Sequence, residues 1–361
     1  MKFTLALLFA ALLPPAVLAQ QPLVPQPPAL AARAWLLYDL VSNQVLVNEN
    51  GNEHFETASL TKLMTAYLTF AAIRQNKLVL AQAVIPAAEV LPASDEGSRM
   101  LLEPGKPVTV EDLLHGLIVQ SGNDAARVLA VAVGGSEEGF AAMMNLEAQR
   151  LGMKDTHFAN ATGLPHPQHY SSAHDLALLA AAIVRDFPER YPIYSLREYQ
   201  YNGIKQINRN RLLWVDPYVD GMKTGYSETA GFCLVASAKR DNRRLVSVLL
   251  GAASDNQRAT ESQKLLNYGF RHFEAVRLYQ KNQPVTSLPL WKGTRNRVEL
   301  GFRNDLFLSV PSGMLARVLK LALAGKPYAE FPLVALETVP LANIFSRGWD
   351  SIRLFFQQGI F

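Results

Sequence analysis

The stretch from Leu60 to Ile73 constrains this chain most. Leu60, Leu63, Met64, Tyr67, Leu68, Phe70, Ala71 and Ile73 fall at helical spacing yet leave hardly any polar face. Such a helix cannot lie on a surface, so the pattern predicts a helix over Leu60 to Arg74 buried at the centre of a domain. Its first turn nevertheless opens on Ser59-Leu60-Thr61-Lys62, with Thr57 placed to cap it. The i,i+3 spacing puts Ser59 and Lys62 on one face. A serine hydroxyl is a weak nucleophile and needs a base beside it. An ammonium entering a buried, positively charged site loses its proton more easily, which makes Lys62 the candidate base. The helix N-terminus favours negative charge developing near Ser59.

Around this helix the pattern predicts an α/β domain over 30–273. Ala34 to Leu40 and Gln44 to Asn48 read as one hairpin, and Cys233 to Lys239 and Leu245 to Gly251 as a second. Helical patterns lie between them, including Val110 to Val133 and Phe140 to Leu151. An antiparallel sheet made from both ends of the domain, sandwiched with a helical cluster, accounts for that order. Residues 274–342 show short alternating runs split by Pro, Gly and Asn, the mark of a small all-β domain without clustered catalytic residue types.

The two ends predict a location. A positive start, an apolar run from Phe3 to Leu13 and Val17-Leu18-Ala19 read as a signal peptide over 1–19, cut after Ala19. Residues 20–29 form a Pro-rich leader. In 343–361, Phe345, Trp349, Ile352 and Phe356 make one helical stripe opposite Ser346, Arg347, Asp350, Arg353 and Gln357. That reads as an amphipathic helix lying in the membrane interface rather than one docked on its own domain. The nine basic against five acidic residues of 274–342 place a positive surplus beside it. Cys233 is the single cysteine, so no internal disulfide forms. The seven histidines show no metal-ligand spacing, and the net charge of +4 is too small and dispersed for a nucleic-acid partner.

Ser-x-x-Lys alone is weak, arising by chance about once in a chain this long. Ser121-Gly122-Asn123 is similarly common, whereas Lys223-Thr224-Gly225 is rarer. Their order and context carry the signal: Ser59 opens a helix, Ser121 follows Leu117-Ile118-Val119-Gln120, and Lys223 leads into the terminal strands. With Phe158-Ala159-Asn160-Ala161-Thr162-Gly163-Leu164, these segments resemble the low-molecular-mass penicillin-binding proteins, D-alanyl-D-alanine carboxypeptidases of the bacterial periplasm. The resemblance covers essentially the whole mature chain and implies the β-lactamase/DD-peptidase-like fold, then the small β domain and the amphipathic anchor at the inner membrane. It implies no cofactor and no metal, peptidoglycan stem peptides as substrate, and β-lactams as inhibitors.

The resemblance also assigns roles. Ser59 would be acylated, Lys62 its base, Ser121 the proton relay to the leaving amine, and Asn123 the orienter of Lys62 and the substrate amide. Lys223 and Thr224 of the Lys223-Thr224-Gly225 strand would hold the peptide carboxylate, with Arg258 and Arg209 matching basic residues near the site. Backbone N–H groups of Ser59 and Tyr226 would form the oxyanion hole. Many family members carry His where Tyr226 stands, which matters only if that side chain aids deacylation. Ser254-Asp255-Asn256 also spells a second-motif form, but it follows Lys223 and suits a turn and helix cap. A class A β-lactamase needs a Glu-x-x-x-Asn deacylating element. Glu147, Glu189 and Glu198 are the later glutamates before Lys223, and none is read as that element. A DD-endopeptidase and a non-catalytic peptidoglycan-binding protein are the remaining alternatives.

Overall fold

The computed structural model describes residues 25–91, 97–312 and 334–335. The expected signal peptide, the first half of the leader and the amphipathic C-terminal helix lie outside the described residues.

Strands β1 (Ala34–Asp39) and β2 (Gln44–Glu49) form the first hairpin, and β3 (Val219–Ser227), β4 (Gly231–Arg240) and β5 (Arg243–Ala252) follow some 170 residues later. They make one antiparallel sheet in the order β2-β1-β5-β4-β3. Alternation explains its long apolar runs. Cys233, Val235, Val246, Val248 and Leu250 face one core, while Leu234, Ala236, Ala238, Leu245 and Leu249 face the other. A sheet covered on both sides needs apolar residues at both parities. The first core is filled by helices α1 (Lys62–Arg74), α2 (Val110–His115), α3 (Asn123–Gly134), α4 (Glu137–Leu151) and α5 (Ala173–Asp186). The second is closed by α6 (Asp255–His272), through Leu265 and Leu266.

Helix α1 lies where its composition requires, every residue from Lys62 to Phe70 being buried. The helix starts through a 3-10 turn, Ala58–Thr61. Thr57 makes no side-chain cap, contrary to expectation; only its carbonyl accepts from Leu60 N–H, at 3.0 Å. The segment expected as one helix from Val110 to Val133 is broken. It passes from α2 into a π-helical turn, Gly116–Gln120, stops at Ser121 in the left-handed conformation (φ 65°), and restarts at Asn123. Apolar periodicity runs on through the break, so spacing alone conceals it.

After α6 the chain enters strand β6 (Phe273–Tyr279), which pairs with β9 (Leu306–Pro311); β7 (Pro284–Pro289) pairs with β8 (Arg297–Gly301), which also pairs with Val334–Ala335. This β unit is tied to the sheet through buried Asp39, whose carboxylate accepts from Arg243 Nε at 2.7 Å and Ser309 Oγ at 2.6 Å. Its other oxygen accepts from Val41 N–H at 2.9 Å, so the buried carboxylate is paired on both sides.

Candidate active site

The start of α1, the Ser121 break and strand β3 converge on a cleft of about 970 Å³. Ser59, Ser121, Asn123, Thr224, Gly225, Tyr226, Arg209 and Arg258 line it. Lys62 and Lys223 stand behind its wall, both buried. All ten residues singled out from the sequence therefore gather in one place.

The Lys62 amine reaches Ser59 Oγ at 2.9 Å, Asn123 Oδ1 at 2.7 Å and the Thr162 carbonyl at 2.7 Å. An amide oxygen and a backbone carbonyl can only accept. They therefore take two N–H bonds from Lys62, and a neutral amine held in this way would turn its lone pair to the Ser59 hydroxyl proton. The same three partners suit the ammonium that results. Ser121 Oγ is buried with no hydrogen-bond partner among the described residues, so its hydroxyl is available to a bound molecule.

Strand β3 is the open edge of the sheet and runs against the nucleophile turn. A Cβ at Gly225 would lie 2.8 Å from the Thr57 carbonyl, so the close approach needs glycine. Lys223 Nζ donates to the Thr224 carbonyl at 3.0 Å. Burial, and then the charges of Lys62, Arg209 and Arg258, push the Lys223 ammonium well below its ordinary range. Arg258 is buried and donates to the Gly225 carbonyl at 3.1 Å, held there by Asp255 at 2.5 Å. Arg209 lies exposed on the rim. The Tyr226 ring is half exposed and rests against Phe232, with centroids 4.4 Å apart.

Several contributors left little trace in the sequence. The Thr162 acceptor is a main-chain carbonyl, set by a turn in which Asn160 Oδ1 accepts from Thr162 N–H, Thr162 Oγ1 and Gly163 N–H. Asp124 accepts from Met100, Leu101 and Leu102 N–H, fixing the segment whose Gly97 and Ser98 border the cleft. Gly163 has φ 83°, and a Cβ there would sit 1.8 Å from the Ala58 carbonyl. Gly163→Ala should therefore cost roughly 3 kcal/mol and about 10 °C in Tm, read by calorimetry. An unchanged Tm would mean that the turn can give way.

Two lookalikes separate from the site. Ser254 Oγ caps α6, accepting from Gln257 N–H at 3.1 Å, although its neighbour Asp255 reaches the cleft through Arg258. Glu198 does have an asparagine four residues on, Asn202, so spacing alone does not dismiss it as the Glu-x-x-x-Asn element. The structure does: Glu198 lies on an exposed hairpin, 2.5 Å from Lys205, outside the residues lining the cleft. Among the described residues no group of three or more His, Cys, Asp or Glu side chains is placed to hold a metal ion.

A serine activated by a lysine one turn along the same helix, facing a basic strand edge, defines an active-site-serine acyl-transfer enzyme. Residues 21–254 match the model of the D-alanyl-D-alanine carboxypeptidase family, and residues 273–318 match that of the penicillin-binding protein 5 C-terminal domain. The chain belongs to the D-alanyl-D-alanine carboxypeptidase family. It is 38% identical to D-alanyl-D-alanine carboxypeptidase DacC of Escherichia coli (strain K12), over 92% of this chain and 90% of that protein. Penicillin-binding protein 5 from Haemophilus influenzae superimposes with a TM-score of 0.76 at 39% identity, covering 81% of this chain and 86% of that one. The cefotaxime-bound penicillin-binding protein D2 from Listeria monocytogenes gives a TM-score of 0.63 at 30% identity, over 68% of this chain and 100% of that one.

Proposed function

We propose that this chain removes the terminal D-alanine of peptidoglycan stem peptides through an acyl-enzyme on Ser59. The observation that carries the mechanism is the Lys62 amine, held 2.9 Å from Ser59 Oγ by bonds to Asn123 Oδ1 and the Thr162 carbonyl. Ser59 attacks the carbonyl between the two D-alanines while Lys62 takes its proton. The oxyanion is received by the N–H groups of Ser59 and Tyr226, each donor worth about 3–4 kcal/mol in comparable hydrolases. Ser121 passes a proton to the departing amine, and D-alanine leaves. Lys223, Thr224 and Arg258 receive the terminal carboxylate. Water then cleaves the ester. A β-lactam presents a similar carboxylate and a strained amide, so it acylates Ser59 and is released slowly.

D-alanine release from a peptide ending in D-Ala-D-Ala tests this reading, with Ser59→Ala as control. Release by the parent alone supports it. Inactivity on that peptide with cleavage of cross-linked muropeptides would replace it by the endopeptidase alternative.

The same proposal places the enzyme in the periplasm, on the outer face of the inner membrane. The support is the signal-like segment ending at Ala19 and the Phe345, Trp349, Ile352, Phe356 stripe, beside a basic β unit. Deleting 343–361 should move the protein from the membrane to the soluble fraction; retention on membranes would sink the anchor.

A further inference from the structure

We infer that His169 is a positioning residue for the Ser59–Lys62 pair, its buried ring bridging the turn that carries the nucleophile and the loop that carries Lys62's carbonyl acceptor. This rests on the carboxypeptidase reading above. His169 Nδ1 lies 3.1 Å from Ala159 N–H, and Nε2 lies 2.8 Å from Thr61 Oγ1. A backbone N–H can only donate, so Nδ1 accepts and the ring proton sits on Nε2, donated to Thr61. Thr61 Oγ1 in turn lies 3.4 Å from Thr57 Oγ1, which continues the chain to the residue before the 3-10 turn.

What is joined matters more than the bond itself. Thr61 directly precedes Lys62 and belongs to the turn with Ser59. Ala159 opens the loop whose Ala161 carbonyl accepts from Thr65 and whose Thr162 carbonyl accepts from Lys62. The two segments nearly touch at Gly163 and Ala58. A small slip between them would move the Thr162 acceptor away from Nζ and turn the amine's lone pair off Ser59. Misplacements of about 1 Å can cost on the order of 100-fold in rate.

The ring's surroundings keep it neutral. Burial, then His157 and His166 and the Lys62 charge, lower its pKa to about 4 against the opposing pull of Glu56. Phe158 covers it edge-on at 5.7 Å. The bridge thus holds unchanged through neutral pH and fails only in acid, when a proton on Nδ1 would oppose the Ala159 N–H.

The two side-chain amides separate the two bonds. His169→Asn keeps an oxygen near Nδ1 but removes the donor to Thr61, whereas His169→Gln places an N–H near Nε2. For His169→Asn and for Thr61→Val, kcat for D-alanine release should fall about 100-fold with KM within about twofold. The double variant should be no slower than the slower single one, because both break one bridge. His169→Gln, which keeps the Thr61 bond but gives up the acceptor for Ala159 N–H, should lose rate to a similar degree, because it breaks the same bridge at its other end. Losses that multiply, or a lowered Tm with unchanged kcat, would overturn the positioning role. Acylation by a fluorescent penicillin, run on the same variants with Ser59→Ala as blank, reads the same nucleophile. If D-alanine release is absent from the parent while penicillin acylation still follows this pattern, the substrate reading fails and His169 stands.

Discussion

Ser59→Ala should lower D-alanine release by about 10⁶-fold, and Lys62→Ala should cost nearly as much, with the double variant hardly worse than either. The reason is that nucleophile and base act as one unit. Without Ser59 no acyl-enzyme forms; without Lys62 the hydroxyl keeps its proton at neutral pH. Stability separates the two. Ser59 is only half-buried, so its loss leaves the fold intact. Lys62 is buried, and its removal takes one donor from Asn123 and leaves the buried Thr162 carbonyl without its Lys62 bond, at about 1–3 kcal/mol for the lost bond. Single-turnover acylation with calorimetry on the same samples checks both statements. Substantial acylation in folded Lys62→Ala would move the base elsewhere.

Lys223→Ala should lower kcat/KM by roughly 100- to 1,000-fold, by removing the buried basic group of the strand that receives the carboxylate. The pH dependence has a definite sign. In the free site burial and the neighbouring cations make Lys223 give up its proton unusually easily. A bound carboxylate reverses that preference, so binding takes up a proton. KM should therefore rise as the pH climbs through the lowered Lys223 pKa, and Lys223→Arg should flatten that rise. A KM independent of pH on the alkaline side would assign the carboxylate to Arg258 and Thr224 instead.

Much of this was legible because it depends on local spacing. Three residues of helix bring Lys62 under Ser59 whatever surrounds them. Apolar residues at both parities of β4 and β5 announce a sheet covered on two sides. The Ser121 break was not legible, since helical periodicity passes through it while one left-handed residue redirects the chain. The four-residue spacing from Glu198 to Asn202 shows the opposite error, a motif in spacing whose side chains face solvent on a hairpin.

By itself the sequence determined the buried helix, the Ser59–Lys62 pair on its first turn and the order of the three motifs, because each is a matter of periodicity or adjacency along the chain. Only the tertiary structure decided what makes the pair reactive: the Thr162 carbonyl about 100 residues away, the Asp124 hold on the cleft's edge, and the His169 bridge to Thr61. Main-chain acceptors have no residue-type signature, and contacts between distant segments exist only once the sheet, closed from both ends of the domain, sets the helices against one another.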